Sequence, residues 1–107
     1  MNNIDKKNLD PEGFLIDLSL WNHDVARELA EYDAITLTEQ HWFVIHFLRN
    51  YYTRFKHFPS MRILVKLLKD EQSEFEFNSH SLYHLFPDGV LKQGAKFAGL
   101  PKPPHCT

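Results

Sequence analysis

Apolar residues recur along most of this chain at spacings of three and four, the period of helices with one covered face. The widest stripe runs through residues 39–55, where Trp42, Ile45, Leu48, Tyr52 and Phe55 share a face and Val44, Phe47 and Tyr51 broaden it. His46, Arg49, Asn50 and Thr53 form the polar remainder. A stripe this wide predicts a helix covered on two sides, the central element of the fold. Its start is signalled twice, because Thr36 with Glu39 fits a capping box and Thr38 is an equally good cap.

Four weaker segments surround it. Val25, Leu29 and Tyr32 predict a helix over about 22–33, capped by Ser19 or Asn22. Phe58-Pro59-Ser60 ends the central run, and Ser60 caps a helix over about 61–70 with Ile63, Leu64, Leu67 and Leu68 turned inward. Asn78 or Ser79 starts a short helix through Leu82, Tyr83 and Phe86, which Pro87-Asp88-Gly89 closes. The final helix, about 90–97, stops at Gly99. Residues 74–77 alternate Glu and Phe, a strand pattern too short to carry weight. Near the start, Asp10-Pro11-Glu12-Gly13 reads as a reverse turn between short flanks, which predicts a small β-hairpin within residues 1–18.

The expected fold is therefore mainly α: a small orthogonal helical bundle containing a helix-turn-helix-like pair, a minor N-terminal β-hairpin and an extended C-terminal arm. The length of 107 residues suits one domain, with the hairpin in 1–18, the bundle in 19–98 and the arm in 99–107. No segment has the run of about 18 apolar residues that a membrane span needs, and the start lacks a secretory pattern. A single cysteine cannot form an internal disulfide, so a soluble cytoplasmic protein is expected.

Charge is uneven. Residues 1–39 hold nine acids against Lys6, Lys7 and Arg27, a balance of −6, whereas residues 40–107 hold nine bases against five acids, a balance of +4. With a net charge of −2, the chain is not expected to hold nucleic acid by bulk charge, although its basic half suits local contact with RNA or an acidic partner.

The chemistry concentrates at the end. After Gly99 come Leu100-Pro101-Lys102-Pro103-Pro104-His105-Cys106-Thr107, with three prolines in four residues. Such a segment resists helix and favours an extended path, reaching roughly 20 Å from Gly99 to Cys106 at about 3.1 Å per residue. A thiol at its tip is placed to enter another protein's pocket while the bundle stays outside. The arm is expected to be mobile, as termini are unless tied down. A free thiol is mostly protonated at neutral pH. Lys102 and His105 favour the thiolate, the terminal carboxylate opposes it, and docking into a partner's site supplies the main activation. The plain alternative is a frayed tail with an incidental cysteine.

Ala98-Gly99-Leu100-Pro101-Lys102-Pro103, followed by a penultimate Cys106, resembles the ending of the DsrC/TusE family of sulfur-relay proteins. Glu39 to Trp42, Pro59 to Lys66 and Leu82 to Pro87 resemble the family's other landmarks in order and spacing. The likeness covers nearly the whole chain from Gly13 onward. It implies that Cys106 bears a persulfide, that Arg62 and Lys66 match basic helix positions, and that Lys102 matches the arm lysine. One position separates the branches of the family. The branch of dissimilatory sulfur metabolism has a second cysteine eleven residues before the last, and here that position is Ala95. The chain is thus similar to the branch serving 2-thiolation of wobble uridine in tRNA. That similarity implies sulfur supplied by a TusBCD-like complex and delivery to a tRNA thiolase of the MnmA kind; contact with tRNA is expected to be indirect if it occurs, and no cofactor is expected. His84 and the pair Val90-Leu91 depart from the family pattern.

Two other readings stand beside it. His80 and His84 lie four apart on one helical face, but no third ligand has suitable spacing and no metal is expected. The helical pair over 39–70 carries Ser60, Met61, Arg62, Lys66 and Lys69 on its second element, and the alternative function is a DsrC-like sulfur-trafficking protein or a regulatory module that binds nucleic acid through this pair, without a role in tRNA thiolation.

Overall fold

The structure is a computed structural model that describes residues 4–71 and 74–104. Five α-helices form its frame: α1 (His23–Tyr32), α2 (Glu39–Phe55), α3 (Met61–Asp70), α4 (Ser79–Leu85) and α5 (Val90–Phe97). The long apolar stripe explains α2, whose Val44, Ile45 and Leu48 are fully buried. Short α5 lies across α1, α2 and α4, and six of its eight residues are buried. Gly94 lets it approach α2, since a Cβ there would lie 2.8 Å from Leu48 Cδ1. Leu29, Leu64, Leu68, Leu82, Phe86 and Phe97 complete one continuous core.

The helix starts follow side-chain chemistry. Asn22, Ser60 and Asn78 each accept a hydrogen bond from the backbone N–H three residues on. At α2 the cap is Thr38, and its reciprocal partner is His41 rather than Glu39. The imidazole is buried, accepts from the Thr38 N–H at 3.0 Å through Nδ1, and donates from Nε2 to the Leu85 carbonyl at 2.8 Å. One ring thus closes the start of α2 and ties it to the end of α4.

Two expectations change. The turn at residues 10–14 forms, held by the Asp10 carboxylate on the N–H groups of Glu12 and Phe14. Its flanks, however, meet in a single antiparallel bridge between Leu9 and Leu15, and among the described residues there is no β-hairpin of paired strands. These flanks instead curl into 3-10 turns at Lys6–Asn8 and Leu18–Leu20, each started by a preceding aspartate. Ile63 is 45% exposed, so only Leu64 and Leu68 of α3 are fully inward. Residues 74–77 form no strand, yet their alternation is used: Phe77 is buried with its ring 5.4 Å from that of Phe43, while Glu74 and Glu76 face water.

Candidate functional site

The root of the C-terminal arm is built from a helix end and two side chains that grip it. Helix α5 closes in a double-bonded turn: the Leu100 N–H donates to the Ala95 carbonyl at 2.9 Å, and the Gly99 N–H to that of Lys96 at 3.1 Å. This geometry needs a left-handed residue, and Gly99 supplies it with φ of +69°. A Cβ at Gly99 would run into the Trp21 ring, so glycine is required on two counts. The remaining helix-end carbonyls are taken from outside. Trp21 Nε1 donates to the Phe97 carbonyl at 2.8 Å, and Arg49 Nη1 donates to that of Ala98 at 2.7 Å. The Arg49 guanidinium stands 3.8 Å above the Trp21 ring, so each gripping side chain also holds the other. Burial lowers the Arg49 pKa below its ordinary value, and the group remains a cation.

Arg49 thus leaves the solvated face of α2 to which the sequence pattern assigned it. No periodicity marks this role, because its partner is a backbone carbonyl 49 residues away. His46 and His23 flank the grip, with ring centres 5.3 Å apart. Burial, then His23, then Arg49 lower the His46 pKa below the ordinary histidine value.

Beyond the root, residues 100–104 lie along the body. Leu100 and Pro103 are buried, and Lys102 donates to both carboxylate oxygens of Glu12 at 2.7 Å. Through Pro104 the arm is thus tied at the N-terminal turn. A groove of about 500 Å³ separates Pro101–Pro104 from Tyr52, His57, Phe58 and Met61 at the α2–α3 junction. His105 and Cys106, the principal expected site, lie outside the described residues. Arg62 and Lys66 are exposed on α3 and make no ion pair among the described residues. The structure therefore joins Lys102 to Glu12, not to those α3 cations.

A second grip supports the same helix end. Lys96 pairs with Asp33 at 2.8 Å with both side chains largely covered, and buried Gln93 donates to the same carboxylate at 3.0 Å. His80 and His84 have ring centres 4.9 Å apart, and no cluster of three metal-binding side chains occurs among the described residues. No helix among them is long and apolar enough to cross a membrane.

The helical frame is shared with known proteins. The family model of DsrC like protein matches residues 2–107, and the chain belongs to that family. Sulfurtransferase TusE of Pectobacterium atrosepticum is 46% identical over 97 residues, covering 91% of this chain and 89% of that protein. The solution structure of Allochromatium vinosum DsrC aligns with a TM-score of 0.81 and 43% identity, over 92% of this chain and 88% of that one. The oxidized gamma-subunit of the dissimilatory sulfite reductase (DsrC) from Archaeoglobus fulgidus gives 0.79 and 39%, over 92% and 90%. Sulfurtransferase TusE of Escherichia coli is likewise 43% identical over 97 residues, covering 91% of this chain and 89% of that protein, and the chain is a sulfurtransferase of the sulfur-carrier kind.

Proposed function

We propose that this chain is a sulfurtransferase of the relay type, a carrier that receives sulfane sulfur on Cys106 and passes it toward 2-thiolation of tRNA wobble uridine. The observation that carries the branch is Ala95. It is fully buried in α5, and Cys106 is the only cysteine, so no internal disulfide or trisulfide cycle is open to the chain. Sulfur must instead arrive from one protein and leave to another.

The transfer balances without an external oxidant. The Cys106 thiolate attacks the outer sulfur of a donor persulfide, forming a new S–S bond as the donor's S–S bond breaks. The donor leaves as thiolate, and the outer sulfur keeps its proton or loses it to solvent. Repeating the exchange with an acceptor thiolate returns Cys106 to its starting state. Trp21, Arg49 and Gly99 position the arm, Lys102 ties it to Glu12, and His105 favours the anion near its tip. Cys106 is two residues beyond Pro104, and two residues span at most about 7 Å, so its reach is set by where the arm is tied.

In this reading residues 1–107 act as one domain in the cytoplasm. A TusBCD-like complex is the donor and a tRNA thiolase of the MnmA kind the acceptor. Arg62 and Lys66, exposed on α3, serve partner contact. Incubation with a cysteine desulfurase, cysteine and the upstream relay proteins, followed by intact mass analysis, tests the carrier step. The expected gain is one sulfur, about 32 Da, absent in Cys106→Ser. No gain with an active donor overturns the proposal.

A further inference from the structure

From residue 40 to residue 69 the chain contains six Lys and Arg residues and no Asp or Glu. The ion pairs among the described residues are Lys7–Asp5, Arg27–Asp24, Lys96–Asp33 and Lys102–Glu12, all outside that stretch. Arg54, Lys56, Arg62 and Lys66 are exposed and have no carboxylate partner among the described residues. A run of exposed cations without carboxylate partners suits an anionic partner.

Rings run through the same face. Phe47 and Tyr51 have centres 6.3 Å apart and nearly parallel planes at 28°. Tyr51 and Phe55 follow at 4.6 Å, and His57 lies 5.9 Å from Tyr51 and 6.1 Å from Phe55. Phe55 is 46% exposed, with the Arg54 guanidinium 5.3 Å from its ring centre. A groove of about 440 Å³ runs beside these rings between α2 and α3, lined also by Asn50 and Leu67, with Glu71 as its one acid. His57 then lines the groove beneath Pro101–Pro104, so the row of rings leads to the arm.

We infer that this α2–α3 face binds an unpaired segment of RNA, stacking bases on the Phe47–Tyr51–Phe55 row while Arg54, in the groove, and Lys56, at the end of α2, take the phosphates. An acidic peptide would use the cations but not the row of rings, whereas unpaired bases use both. Duplex RNA buries its base faces within its own stack and cannot use the row. Asn50 and Tyr51 bring an amide and a hydroxyl to the groove, groups able to hydrogen-bond a 2′-hydroxyl. The assignment differs from a helix-turn-helix reading, since it uses the groove and not a recognition helix inserted into a duplex. It does not depend on Cys106 chemistry.

Fluorescence anisotropy of a labelled RNA hairpin with an unpaired loop, titrated with the full chain at low salt, tests it. Saturable binding that weakens as salt rises is expected, with a fully paired RNA and single-stranded DNA of the same sequence bound more weakly. Arg54→Glu and Lys56→Glu should each weaken binding roughly fivefold or more, and Phe55→Ser roughly fivefold, with unchanged melting curves as the control on folding. Both charge reversals leaving RNA affinity intact would overturn the inference. Equal affinity for the paired RNA or for DNA would overturn it too. So would a loss of affinity for an acidic protein partner alone. Persulfide loading measured on the same preparation separates the questions: loading without RNA binding sinks this inference and leaves the carrier standing.

Discussion

The arm root and the α2–α3 face share helix α2 but treat polar groups in opposite ways. At the root, Arg49, Trp21, Lys96 and Lys102 are each matched to a carbonyl or carboxylate of the chain itself. On the face one turn further along α2, Arg54 and Lys56 find no such partner among the described residues, and Phe55 keeps nearly half its surface in water. Groups matched internally fix the chain's own geometry. Groups left unmatched can only gain from something outside. The first region thus positions the arm, and the second meets a partner.

The strongest way to break the first half of this comparison is Gly99→Ala. A left-handed alanine and a ring collision with Trp21 together should cost about 2–4 kcal/mol, read as a lowered denaturation midpoint. A cost near zero would mean that the root is not tightly built. Arg49→Met comes next. It leaves the Ala98 carbonyl without its charged donor and Trp21 without its cation, for a loss of about 1.5–3 kcal/mol. Arg49→Lys should recover only part, because an ammonium cannot lie flat on the ring while reaching the same carbonyl.

Acid sharpens the contrast differently. His41 serves as acceptor to Thr38 only while Nδ1 is unprotonated, and burial holds its pKa below the ordinary value. The unfolded chain therefore binds this proton more readily than the folded one. The stability that His41 contributes is present above about pH 6.5 and is lost as pH falls below that value. His46, also lowered, acts with the same sign. A melting temperature that declines between about pH 7 and 5, with a shallower slope in His41→Gln, is the expected outcome. A flat profile would contradict it. Glu12→Gln gives the smallest effect. The pair it breaks is partly exposed, so stability should change by less than about 1 kcal/mol. Delivery of sulfur to a protein acceptor, measured by single-turnover transfer, should change more than reduction of the persulfide by a small thiol.

Much of the frame was legible from residue patterns. The ends of α2 and α5 follow from the apolar stripe, Thr38, Phe58-Pro59 and Gly99, which are local signals. The N-terminal region was misread as a hairpin, because the aspartates that cap its 3-10 turns offered the backbone an alternative to strand pairing. Arg49 was hidden for another reason: sequence spacing shows which residues share a face, but not which distant carbonyl needs a donor. Ile63 illustrates the same limit, since an apolar residue at the edge of a stripe turns inward only if something covers it. Cys106 was singled out by its place in the sequence, and the structure adds how the segment before it is held.

The carrier assignment is tested most directly in cells whose only copy of this chain carries Cys106→Ser. Loss of 2-thiouridine at the tRNA wobble position, restored by the wild-type chain, is the predicted result. Normal thiolation in those cells would contradict the account.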